Sequence, residues 1–167
     1  MAWGRAVSHL TGAPLRVIVL SLVFCVQVTQ GPRDDTHGLR YGLPNQQGAV
    51  YARTSRNLRD WSASRMVAFG GALGANPYSA ECPFVYFHRA SGYYYVFRTQ
   101  RYGEKAQTSV YRSKDPLNFG VNDDRYLIHT LPVAAPEIIE HEGQLYMAAL
   151  LPSLKGIQIA RLTWDKL

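Results

Sequence analysis

Twice in this sequence a proline opens an apolar run, a glycine turn closes it, and a second run follows at once. Ala80-Glu81-Cys82-Pro83-Phe84-Val85 leading to Gly92-Tyr93-Tyr94-Tyr95 is answered by Ala134-Ala135-Pro136-Glu137-Ile138-Ile139 leading to Gly143-Gln144-Leu145-Tyr146. A second echo links Val50-Tyr51-Ala52-Arg53-Thr54-Ser55, followed by Leu58 and Trp61-Ser62, to Val110-Tyr111-Arg112-Ser113, followed by Leu117 and Phe119-Gly120. A fainter third copy is Ile157-Gln158-Ile159-Ala160-Arg161-Leu162, ending at Trp164. β-Branched and aromatic residues fill the runs while Gly, Pro and Ser punctuate them, which is the composition of strands and turns and leaves little text for helix. A repeat of this period constrains the fold more than any other feature, because each unit buries its apolar face only against a neighbour of the same kind.

Taken in order, the repeat predicts one whole four-stranded unit, with strands over Phe84 to His88, Tyr93 to Gln100, Thr108 to Arg112 and Tyr126 to Leu131. The back half of another unit precedes it, near Ala49 to Thr54 and Met66 to Ala68. The front of a third follows, near Glu137 to Glu140, Leu145 to Leu150 and Gly156 to Leu162. The expected fold class is all-β: a partial β-propeller of about two and a half four-stranded antiparallel blades over residues 48–167. A β-sandwich is the alternative, but it does not require the proline-strand-glycine-strand opening to recur.

Residues 1–30 read as a signal-peptide-like leader, with Arg5 and Arg16 ahead of a run from Val17 to Val28 that is short for a membrane span. Val28-Thr29-Gln30 lacks the small residues of a usual cleavage site, so a retained anchor and a misplaced gene start stay open as alternatives. Residues 31–47 read as an irregular polar segment. The leader implies a secreted or periplasmic protein, with no membrane contact once it is removed. Removal also takes Cys25, which leaves Cys82 as the only thiol and no intrachain disulfide. Cys82 reads as a small buried residue, the alternative being a nucleophile partnered by His88. The formal charge of +6 falls to +4 without Arg5 and Arg16, and the remaining basic residues are scattered with no nucleic-acid motif among them. His88, His129 and His141 lack metal-ligand spacing, so neither metal nor cofactor is expected. Eleven Tyr and three Trp supply groups with an apolar face and a hydrogen-bonding tip, the mixture that sugars also present.

With the repeat in view, Ser79-Ala80-Glu81-Cys82-Pro83-Phe84 resembles the Glu-Cys-Pro motif of the invertase and levanase family of glycoside hydrolases, which are five-bladed propellers related to the arabinanases and xylosidases. Tyr51-Ala52-Arg53-Thr54-Ser55 with Leu58 and Trp61, and Tyr111-Arg112-Ser113-Lys114-Asp115-Pro116, resemble the blade endings of that superfamily. The likeness covers roughly Gly48 to Leu167. It implies that Glu81 is the general acid/base, a carboxyl kept protonated near neutral pH by partial burial and a neighbouring carboxylate. The family's transition-state stabiliser, the Asp of an Arg-Asp-Pro motif, is matched by Asp34 in Arg33-Asp34-Asp35, with Asp35 in place of the proline. The Asn-Asp-Pro setting of its nucleophile has no counterpart, since Asn122-Asp123-Asp124 follows Glu81 instead of preceding it. Glu137, opening the next unit, is the local candidate for a second carboxylate, which glycoside hydrolysis ordinarily needs.

Arg98 to Tyr102 follow the second strand of the intact unit, and Arg98, Gln100, Arg101 and Tyr102 are the expected polar rim for sugar hydroxyls. The resemblance thus implies a hydrolase of furanosides or related oligosaccharides in its full-length form, with an oligosaccharide or polysaccharide as partner. The alternatives are a non-catalytic carbohydrate-binding module, an inactive fragment, and, more weakly, an enzyme dependent on Cys82. Closed propellers have about four blades or more. The visible units fall short of that, which points to part of a longer enzyme and to self-association through open blade edges.

Overall fold

The computed structural model describes residues 19–22, 48–55, 57, 59–74 and 80–164. They form an all-β molecule of three antiparallel sheets, with no α-helix among the described residues. The first sheet joins β1 (Val19–Leu22), β2 (Val50–Ser55) and β3 (Arg65–Ala68). The second is a four-stranded meander of β4 (Glu81–His88), β5 (Tyr93–Arg101), β6 (Gln107–Ser113) and β7 (Leu127–Leu131). The third joins β8 (Ala134–His141), β9 (Gln144–Leu150) and β10 (Ile157–Leu162). Part of the leader-like stretch therefore pairs within a sheet, with Val19 opposite Ser55 and Leu22 opposite Ala52. No helix among the described residues is long and apolar enough to cross a membrane.

The central sheet is covered on both faces, which explains the near-continuous apolar text of β5. Val96 and Tyr94 pack with Val50, Ala52, Val67, Ala68, Tyr111 and Phe119 in a core shared with the first sheet. Tyr95 and Phe97 turn the other way, into a second core with Val110, Ile138, Leu145, Met147 and Trp164. Strand alternation sends successive side chains to opposite faces, so a strand covered on both sides has no position to spare for a solvated residue. Backbone bonds tie the first two sheets together as well. Phe119 N–H donates to the Val67 carbonyl at 2.7 Å and Phe69 N–H to the Gly120 carbonyl at 3.0 Å.

The second sequence echo is one turn used twice. Ser55 Oγ accepts from Asn57 N–H at 3.3 Å, and Asn57 Oδ1 in turn accepts from Arg59 N–H at 2.9 Å. Ser113 Oγ accepts from Asp115 N–H at 3.0 Å, and Asp115 Oδ1 from Leu117 N–H at 2.9 Å. A serine ending the strand and an Asn or Asp two residues on supply the acceptors that turn backbone needs.

The first echo holds a feature that composition does not reveal. Both β4 and β8 begin about three residues earlier than their apolar runs predict, and each passes its proline through a bulge. Glu81 pairs with Thr99 and Phe84 with Phe97; Ala134 pairs with Leu150 and Glu137 with Ala148. One extra residue is thus accommodated at the same point in each strand. Cys82 and Ala135 take it up with φ of 42° and 48°. Proline lacks the N–H that the ladder would use, and a bulge is where a strand tolerates that loss.

Candidate functional site

Glu81 is the first residue of β4, half-buried, on the face of the central sheet that meets β8. Its strand partner Thr99 lies at a buried polar junction between the second and third sheets. Thr99 Oγ1 accepts from Ala135 N–H at 2.9 Å and lies 3.0 Å from Thr108 Oγ1, which donates to the Val133 carbonyl at 2.8 Å. These two threonines bind the start of β8 to the end of β5 and the start of β6, beside Glu81. The sequence signal for them is a pair of β-branched hydroxyl residues at directly opposed positions. It is legible only once the register is known.

Tyr102, half-buried just beyond β5, completes the group. Its hydroxyl donates to Cys82 Sγ at 3.3 Å. Burial, then the contact with Cys82, then the charge and hydrogen bond of Glu81 push the phenol well above its ordinary range. Tyr102 is thus a hydrogen-bond donor to the thiol, with the acid Glu81 near enough to influence its phenol. Glu81, Cys82 and Tyr102, twenty residues apart in sequence, meet because β4 and β5 are antiparallel and the bulge swings Cys82 outward.

Several expectations are corrected. Cys82 is exposed, not a buried apolar filler. His88 is not its partner: it closes β4 at the opposite end, about 20 Å along an extended strand, with its ring stacked on Trp164 at a centroid distance of 4.6 Å and Nδ1 2.9 Å from Ser91 Oγ. A thiol–imidazole pair is excluded by that separation. The expected rim from Arg98 to Tyr102 is strand as far as Arg101. Gln100 spends its amide within the sheet, donating to the Arg98 carbonyl at 2.5 Å and accepting from Ser109 Oγ at 3.0 Å. Arg98 is 0% exposed and does not stand on a rim. Arg101, which is exposed, and Tyr102 remain at the Glu81 end of β5.

Arg98 points between the first two sheets. Nη1 donates to Tyr111 Oη at 3.3 Å and Nη2 to the Gly48 carbonyl at 3.2 Å, while Nε has no partner among the described residues. Burial lowers its pKa, against the opposing influence of Tyr111 and Asp124. Its guanidinium also lies 5.3 Å from the centroid of the Tyr111 ring.

Glu137 does not repeat Glu81. The register equates Glu81 with Ala134 and Glu137 with Phe84. Glu137 is exposed on the face of the third sheet that points away from the central one, while Ile138 is buried toward it. Asp34 lies outside the described residues. The described residues contain no group of three His, Cys, Asp or Glu suited to a metal ion. Comparison with protein-family models, with curated proteins and with solved structures gave no match.

Proposed function

We propose that this chain is a carbohydrate-handling domain of the propeller glycosidase type, in which Glu81 protonates the departing oxygen of a furanoside or related oligosaccharide. One observation carries the reading: an acid at the first residue of a blade-like sheet, set by a bulge on the face that meets the next sheet and lying beside a phenol. Three sheets stacked face to face in chain order, each an antiparallel set, are what a propeller segment consists of. Tyr102 places a phenol beside Glu81 and Cys82, and exposed Arg101 is placed to meet sugar hydroxyls with directional N–H groups. A secreted location suits a protein acting on such substrates.

Hydrolysis needs a second carboxylate across the scissile bond. The position of Glu137 on the outward face of the third sheet therefore favours a second reading, sugar binding without turnover. Calorimetry and product analysis with fructo- and arabino-oligosaccharides separate the two. Under the first reading substrate is cleaved, and Glu81→Gln lowers the rate at least about a hundredfold, the usual scale for losing a general acid, with the far-UV circular dichroism unchanged. Binding without products supports the module. Neither binding nor cleavage removes both, and full activity in Glu81→Gln removes the role given to Glu81.

A further inference from the structure

The third sheet has two unlike faces. Ile138, Leu145, Met147 and Leu162 turn inward and pack against the central sheet. On the other face, pairing sets Glu137, Ala148 and Ile159 in one row and Ile139, Tyr146 and Arg161 in the next. Ile139, Ile157 and Ile159 are 43%, 64% and 62% exposed on that face. Single exposed apolar residues need no explanation, but Ile157 and Ile159 adjoin on β10 and Ile139 lies across Tyr146 and Ala148 of β9 on the same face, and a face of that kind marks an interaction surface.

We infer that a second copy of this chain covers this face with its own equivalent face, the two related by a two-fold axis. The molecule already contains the corresponding interface: on the central sheet Tyr95, Val110, Thr99 and Thr108 take the positions that Tyr146, Ile159, Leu150 and Ile157 take on the third. There Thr99 and Thr108 satisfy the N–H of Ala135 and the carbonyl of Val133 as β8 docks. On the third sheet that pair is replaced by Leu150 and Ile157. A further strand docking with the same bulged start would bury an N–H and a carbonyl against hydrocarbon, which native structures avoid. The face of a second sheet makes no such backbone demand, and this face offers its isoleucines to one. Charge agrees with self-pairing. Glu137 lies on β8 and Arg161 on β10, at opposite edges of the sheet. A two-fold axis along the strands lays β8 over the partner's β10 and brings each glutamate one row from an arginine, generating the acid-base contact twice. Sheet-to-sheet burial, not addition to an open edge, is then the mode of self-association. The inference is independent of the glycosidase reading.

Light scattering and sedimentation of the full chain test it. The expected mass is twice the 18.7 kDa of one chain. Ile159→Lys is expected to weaken the dimer about tenfold or more, as removal of an interface anchor does, while far-UV circular dichroism stays unchanged because that side chain is largely exposed in the single chain. Glu137→Arg is expected to weaken it at low salt, and Glu137→Arg with Arg161→Glu to restore it. A single-chain mass for the unsubstituted protein at tens of micromolar overturns the inference. So does a dimer that survives Ile159→Lys, since its contact lies elsewhere.

Discussion

Arg98 shows how far a residue's role depends on what surrounds it. As text it is a cation among polar neighbours; in the fold it is among the largest wholly buried side chains, with two neutral acceptors and no partner for Nε among the described residues. Burying a charge costs several kcal/mol of solvation, which neutral acceptors and the more distant charge of Asp124 offset only in part. The guanidinium nonetheless fills space and ties Gly48, just ahead of β2, to the central sheet. Two substitutions separate filling from charge. Arg98→Met keeps the volume and is expected to leave the melting temperature unchanged or raise it. Arg98→Ala opens a cavity and is expected to cost about 2–5 kcal/mol in urea unfolding. The charge would be shown to matter in itself if both lost stability equally.

Among the elements, the bulge shared by β4 and β8 is the informative one. A left-handed backbone at a residue other than glycine costs about 1–3 kcal/mol, and such strain is often read as a mark of function. Ala135 carries the same conformation as Cys82 with no reactive side chain, so the strain belongs to the repeat and not to thiol chemistry. It is the local condition for passing a proline through the first strand while pairing continues to Glu81 and Ala134. Ala135→Gly is accordingly expected to stabilise the protein by up to about 1 kcal/mol, since glycine adopts φ > 0 without the Cβ clash. Thermal unfolding of the variant measures this, and a loss of stability would show that packing of the Ala135 methyl outweighs the strain. The same bulge displaces Glu137 from the place its sequence neighbourhood suggests, because matching the prolines sets Ala134 opposite Glu81.

Across the whole molecule, the two inter-sheet cores and the end of β5 hold tyrosines whose ionisation opposes folding. Burial raises the phenol pKa of Tyr86, Tyr102 and Tyr111, for Tyr102 with help from Cys82 and Glu81. A folded value above the unfolded one means that the folded state binds more protons at high pH, so stability falls as pH rises. That contribution is intact below about pH 10, where phenols of the unfolded chain begin to ionise, and is lost progressively above it. Melting temperature is expected to decline above that pH, and more gently in Tyr102→Phe. An identical alkaline profile in the variant would place the sensitivity in the other two phenols.

The sequence by itself determined the class and the period: β-branched runs, glycine turns and recurring prolines allow little but antiparallel hairpins, and the Ser-x-Asn and Ser-x-Asp endings specify their turns through local acceptors. It also singled out Glu81, as an acid fixed beside a proline at the head of a hairpin. Local chemistry suffices for these because each involves residues a few positions apart. Tertiary structure alone decided which residues join Glu81, bringing Tyr102 and the Thr99–Thr108 pair to it and removing Arg98, Gln100, His88 and Glu137. Cross-strand register decides such meetings. A shift of one residue, here absorbed by a bulge, sends a side chain to the opposite face, and no pattern within a single strand records it.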